Sequence, residues 1–238
     1  MGTIGVITAR SGSKGIKDKN IRELNGKPLL IYTIESALQS RYIDEVMVST
    51  DSAVYAEIAK QNGANVPFLR SKKNSADNSV SMEVLLEVLD EYEKCGRFFD
   101  NIVLLQPTSP LRTYKNVDDA FKLYYEKCAD SVVSVCKCEH SPLWSNTLPD
   151  DLNMFGFMKH ENNLRRQELG KYYRLNGAVY ISRVSKLREI QSFYGERSYA
   201  YIMDQRESID IDTELDFEYA EFLMNKTDKT YRMHENEE

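Results

Sequence analysis

The feature that most constrains this chain is a rhythm. Through its first two-thirds, short β-branched or apolar runs alternate with longer amphipathic stretches. Residues 3–8 (Thr-Ile-Gly-Val-Ile-Thr) read as a buried strand, and 29–38 as a helix with Pro28 at its first turn. Residues 45–50 read as a second strand. Asp51-Ser52 then caps a helix that runs to about 62, where Gly63 ends it. Residues 66–69 are a short third strand, 81–93 a helix stopped by Gly96, and 101–106 a fourth strand. A helix over 117–125 and a strand over 131–135 continue the pattern. Such βαβα alternation predicts a Rossmann-like, mostly parallel sheet with helices on both faces. Right-handed crossovers place strand C-termini on one edge, where ligands bind.

The rhythm breaks over 138–171, a polar, irregular stretch that holds the single Trp and the pair Arg165-Arg166. It reads as an excursion from the main domain, either a β-arm used in dimerisation or a solvated loop. Strands resume at 178–182, 199–203 and 208–211, and a helix follows at 214–224. The domain plan is therefore 1–137 with 172–225 as one α/β unit, 138–171 as an inserted arm, and 226–238 as a charged tail.

Charge and composition exclude some functions. The net charge of −6 gives no basic field, so nucleic acid is not an expected partner. An anionic ligand must be met by local cations and backbone amides. No run approaches a membrane span, and the N-terminus lacks the basic and apolar regions of a signal peptide. Met1-Gly2 starts like a myristoylation signal, but Val6 stands where Ser or Thr is needed. The four cysteines include Cys136 and Cys138, which with His140 form an i, i+2, i+4 row. No fourth ligand lies near, so strand packing is the better account of that row. Free thiols and the missing leader point to the cytoplasm.

The first strand runs directly into Ala9-Arg10-Ser11-Gly12-Ser13-Lys14-Gly15-Ile16-Lys17-Asp18-Lys19-Asn20. Gly allows the backbone to point successive N–H groups at one anion, and Ser hydroxyls add donors. Arg10, Lys14 and Lys19 would neutralise charge that builds on a departing phosphate. The spacing matches neither the P-loop nor the dinucleotide fingerprint. Downstream, Ser208-Ile209-Asp210-Ile211-Asp212 alternates polar and apolar residues. On a strand both Asp point one way and both Ile point into the core. Adjacent carboxylates repel unless a cation joins them, and Mg²⁺ favours carboxylates plus substrate phosphates. The alternative is that these Asp cap the next helix, and Asp212 could do both.

Together these elements resemble the CMP-sialic acid synthetases, the acylneuraminate cytidylyltransferase family. Five segments carry the resemblance, which covers roughly residues 4–223. They are the loop Ala9-Arg10 with Ser13-Lys14-Gly15 and Lys19-Asn20; Val48-Ser49-Thr50-Asp51; Leu105-Gln106-Pro107-Thr108-Ser109-Pro110-Leu111-Arg112; Arg174-Leu175-Asn176-Gly177-Ala178-Val179-Tyr180; and Ser208 to Asp212 followed by Thr213-Glu214. The resemblance implies an enzyme in which the anomeric hydroxyl of a nine-carbon 2-keto sugar acid attacks the α-phosphate of CTP, releasing pyrophosphate. It also implies Mg²⁺ and a homodimer whose arm reaches the partner's site.

Carried onto this chain, the resemblance implies that Arg10, Lys14 and Lys19 hold the triphosphate, together with Ser13. Asn20, Arg70 and Ser81 would line the nucleotide pocket. Gln106, Arg166, Arg174, Asn176 and Tyr180 would face the sugar acid, with Arg166 supplied by either subunit. Asp210 and Asp212 would bind Mg²⁺, and Asp212 joins Arg10, Lys14 and Lys19 as a catalytic candidate. Arg70 as a surface residue and Tyr180 as core packing stay open. The chain departs from the sialic acid enzymes at Trp144, where bacterial relatives tend to carry Lys. That departure points toward the less polar legionaminic or pseudaminic acids. Kdo as acceptor, or a non-catalytic nucleotide-binding protein on the same fold, are the remaining readings.

Overall fold

The computed structural model describes residues 2–13, 15–76 and 80–235, with side chains to Lys226. Its centre is a six-stranded sheet of β1 (Thr3–Thr8), β4 (Glu45–Ser49), β5 (Asn101–Leu105), β6 (Ser131–Lys137), β7 (Tyr173–Arg183) and β8 (Ser198–Met203). The spatial order is β4-β1-β5-β7-β6-β8. β1 pairs in parallel with β4 and β5, and β6 with β8, whereas β7 runs antiparallel to both neighbours. A small hairpin of β2 (Glu23–Leu24) and β3 (Lys27–Pro28) follows the first loop.

Period-two alternation sends the sheet's side chains to two cores. Ile7, Val46, Val48, Val103 and Leu105 face α1 (Leu29–Leu38), α2 (Ala53–Gln61) and α4 (Tyr114–Glu126). Ile4, Val6, Met47, Ile102 and Leu104 face α3 (Ser81–Lys94) and α5 (Val184–Ile190). Every one of these strand side chains is at most 5% exposed, so both faces exclude water, as a parallel sheet requires. A third cluster joins Ile16, Leu24, Leu29 and Ile211 to Phe217 and Ala220 of α6 (Glu214–Glu235). It fastens the first loop to the C-terminal helix. No helix among the described residues is long and apolar enough to cross a membrane.

Three expectations need correction. Residues 66–69 are not a strand. Only Asn65 bridges to Met47, because Pro67 removes the next ladder donor. Residues 208–211 pair with no strand, and the Ile211 amide bonds the Thr108 carbonyl instead (2.8 Å). Their alternation survives because extended backbone alternates with or without a ladder. Finally, 138–171 contains no strand, only loop and two single turns of 3-10 helix. It connects β6 to β7, which lie side by side and antiparallel.

Candidate active site

The antiparallel course of β7 decides the composition of the site. The C-terminal ends of β1 and β5 open on one edge, and β7 presents its beginning there rather than its end. Gln106, just past β5, therefore meets Gly177 near the start of β7. A Cβ built on Gly177, whose φ is 74°, would stand 2.5 Å from Gln106 Oε1 and 3.2 Å from Asp210 Oδ2. Only glycine allows the amide and the carboxylate this close to the strand.

The cleft at this edge has a volume of about 410 Å³, the size of a small-molecule site. It gathers Arg10, Ser13, Lys19 and Asn20 of the first loop with Gln106, Asp210 and Asp212. Thr8, Gly15, Pro107 and Thr108 complete its wall. Residues nearly two hundred positions apart thus share one cavity. Lys14 lies outside the described residues.

The loop is held from three sides. Asp51 accepts from the Ser11 amide (2.8 Å) and hydroxyl (2.9 Å), while Ser52 alone caps α2 by accepting from the Tyr55 amide. Buried Asn20 donates to the Arg10 carbonyl (3.0 Å). Gly15 passes so near the C-terminal segment that a Cβ would stand 2.6 Å from the Asp212 carbonyl oxygen. Lys19 reaches the same segment, donating to the Ile211 carbonyl (2.6 Å) and to Asp212 Oδ1 (3.0 Å). Arg22 adds a two-oxygen contact with Glu214 and lies over the Phe217 ring.

The two carboxylates are not equivalent. Asp212 has a side chain 75% exposed and is charge-paired with Lys19. Asp210 sits deeper. Burial raises its carboxyl above the ordinary range, the charge of Asp212 raises it further, and Thr108, Lys19 and Arg174 work against the shift. Neither carboxylate caps α6. Thr213 and Asp216 exchange hydrogen bonds at its start, and Asp216 also takes the Asp212 amide. Among the described residues no group of three or more His, Cys, Asp or Glu could hold a metal. The pair fits a hard divalent cation that takes two carboxylates and completes its shell with substrate oxygens and water.

Other expected site residues stand apart from the cleft wall. Asn176 is 1% exposed, and its amide is spent on Ser134, Ala178, Ser208 and Met203. It braces β7 against its surroundings from inside the fold. Arg70 is no surface residue. Its buried guanidinium turns back onto the Ser49 hydroxyl and carbonyl, and burial lowers its pKa to about 10. Tyr180 packs its ring against Phe193, and burial, then Tyr194 and Asp210, push its hydroxyl up to about 12. Arg174 is half-buried and forked onto Glu139 (2.8 and 3.3 Å), yet its charge reaches Asp210. Ser81 opens α3, outside the cleft wall. Arg166 is exposed on the excursion, and Trp144 spends its indole N–H there on the Asn162 carbonyl.

Several contributors were not assigned roles from sequence. Asp51 was read as a helix cap, and Thr108, Gly177 and Arg112 stood in motifs without a task. Their signal is position: Asp51, Thr108 and Arg112 come after strands that end at the ligand edge, and Gly177 lies within β7 beside Gln106.

An α/β sheet with a glycine-bearing cationic loop after β1 and a carboxylate pair across the cleft defines a nucleotidyltransferase. The family model for cytidylyltransferases matches residues 4–237, and the chain belongs to that family. It is 38% identical to the CMP-N,N'-diacetyllegionaminic acid synthase of Legionella pneumophila, over 94% of this chain and 97% of that one. It is also 38% identical to the N-acylneuraminate cytidylyltransferase of Streptococcus agalactiae, over 91% of this chain but only 52% of that enzyme's length. The pseudaminic acid cytidylyltransferase of Campylobacter jejuni matches at 29% identity, covering 94% of this chain and 96% of that one. Among solved structures, a CMP:2-keto-3-deoxy-manno-octonic acid synthetase complexed with CTP superposes with a TM-score of 0.71. At 18% identity, over 95% of this chain and all of that one, this likeness concerns the fold.

Proposed function

We propose that this chain transfers CMP from CTP to the anomeric hydroxyl of a nine-carbon 2-keto sugar acid, with Mg²⁺ as cofactor. The observation that carries the reading is a single cleft. Triphosphate-type donors of the first loop, the Asp210/Asp212 pair and the Gln106 amide line it together. The sugar acid hydroxyl oxygen forms a bond to the α-phosphorus, the bond from that phosphorus to the bridging oxygen breaks, and pyrophosphate leaves. The hydroxyl proton passes to solvent or to a nearby carboxylate.

Arg10, Ser13 and Lys19 bind and orient the triphosphate, joined by Lys14. Charge-assisted hydrogen bonds of this kind count most where negative charge grows during the reaction. Asp210 and Asp212 hold the metal, which when bound draws charge from the phosphate oxygens. Gln106 offers an amide to the acyl group, and Arg174 a guanidinium to the carboxylate once Glu139 yields. Nucleotide selection by Asn20, Arg70 and Ser81 acts through loop shape, since Asn20 and Arg70 both use side-chain donors on backbone carbonyls. The protein works in the cytoplasm as a homodimer, with Arg166 of the excursion reaching the partner's cleft.

A legionaminic-type acid is the favoured acceptor. The relative bearing that product's name matches along 97% of its length, and Trp144 replaces the cation expected of sialic acid enzymes. Pyrophosphate release is to be measured with CTP and Mg²⁺ against N-acetylneuraminate, legionaminate, pseudaminate and Kdo side by side. Turnover with at least one nine-carbon acid, its loss on chelation, and its loss in Asp212→Asn are expected. Nucleotide binding without release on any acid would overturn the reading. Undiminished turnover in Asp212→Asn would remove the metal assignment.

A further inference from the structure

Arg112 is the largest of the fully buried side chains, at 2% exposure. Burial lowers its pKa to about 9, and among the described residues no carboxylate acts on it. Its partners are four neutral oxygens. Nη1 donates to the carbonyls of Gln106 (3.1 Å) and Ala178 (3.0 Å), Nη2 to the Thr33 hydroxyl (2.6 Å), and Nε to the Ser36 hydroxyl (3.3 Å). A buried guanidinium with only neutral partners is costly for a fold, and hydrophobic packing would fill the same volume at less expense. What such packing would lack is the planar fork. One nitrogen holds two carbonyls from different strands, and the other two nitrogens anchor it to α1.

One of those carbonyls belongs to Gln106, which lines the cleft, and the other to Ala178 of β7. Gln106 follows β5 directly and presents its amide to the cavity. Ala178 follows Gly177, whose missing Cβ leaves room for that amide. We propose that Arg112 is a positioning residue, a buried clamp that sets the separation of Gln106 and Gly177 and so aims the Gln106 amide at the acceptor. The proposal rests on the reading that Gln106 meets the sugar acid. Among the described residues, the hydrogen bonds of Arg112 go to Gln106, Ala178, Thr33 and Ser36 and to none of the first loop, where the triphosphate is proposed to bind. Loss of the clamp therefore weakens the acceptor and spares the nucleotide.

The test is a split between two Michaelis constants. Arg112→Lys keeps the charge but cannot bridge two carbonyls and two hydroxyls at once. It is expected to raise KM for the sugar acid by roughly tenfold, with KM for CTP within about twofold. Gln106→Ala raises the acid KM as well. In the double variant the two effects do not add, because both act through the same amide. Thr33→Val, which removes the Nη2 partner and with it the long bond from the Thr33 hydroxyl to the Gln106 carbonyl (3.4 Å), shows the same split at smaller size and serves if Arg112→Lys does not fold. An acid KM unmoved by Gln106→Ala would overturn the assignment of Gln106 itself. If Gln106→Ala raises it while the clamp variants shift both constants alike, or add fully to Gln106→Ala, Arg112 is only a structural brace and the proposal fails.

Discussion

Asp210 and Asp212 share a sequence pattern but do different work. Asp212 is solvated and paired with Lys19, whereas burial, helped by the charge of Asp212, raises the carboxyl of Asp210. The sign of the effect on stability follows from that raised carboxyl. A folded pKa above the unfolded value means the folded state holds its proton more tightly, so stability falls as pH rises between the two values. Asp210→Asn removes the penalty. Its melting temperature is expected above that of the parent at neutral pH. The gain shrinks as pH falls toward the ordinary carboxylate range, where the parent takes up its proton. Turnover should vanish at every pH. A lower melting temperature at neutral pH would show that Asp210 is stabilised by contacts that outweigh its burial.

At the scale of elements, the junction between the first loop and the segment before α6 carries the site. Ile16 and Ile211 bury together, Lys19 spans to the Ile211 carbonyl, and Gly15 grazes Asp212. Gly15→Ala would set a Cβ 2.6 Å from the Asp212 carbonyl oxygen, so that carbonyl must retreat to ordinary contact distance and the cations move away from the carboxylates. Reaction geometry is sensitive to such shifts. A fall in kcat/KM for CTP of roughly ten- to a hundredfold is expected, about 1.4 to 2.7 kcal/mol of activation free energy. Circular dichroism should show the fold intact. Activity near that of the parent would mean the junction relaxes freely. The Lys19 and Ser13 positions were legible because a cationic Gly/Ser loop directly after a strand has few other uses. The strand read over 208–211 was not a strand, since alternation reports burial and says nothing of a hydrogen-bonded neighbour.

At the scale of the whole molecule, the 138–171 excursion exposes Leu148, Leu152, Met154, Phe155, Met158 and Leu164, with Phe155 98% exposed. Under the proposed homodimer, these apolar side chains of the excursion form the surface of association. A second copy is the occupant proposed, which would also bring Arg166 to the partner's cleft. Sedimentation should give a dimer for the parent, and Leu152→Asp with Phe155→Asp should give a monomer with reduced turnover. A parent that sediments as a monomer yet turns over fully would exclude a role for Arg166 in trans.

The sequence by itself determined the α/β alternation, the cationic loop after β1 and the alternation of two carboxylates with two inward isoleucines, Ile211 buried and Ile209 partly so. Each is a local property, set by side-chain periodicity and by what glycine and proline permit. Only the tertiary structure decided that β7 runs antiparallel between β5 and β6, because strand direction depends on the path of the connection. That single reversal brings Gly177 beside Gln106 and turns Asn176 inward to bond Ser134 and Ser208. It also seats Arg112 between the carbonyls of two strands. Burial and partner choice are long-range properties, and no spacing along the chain encodes them.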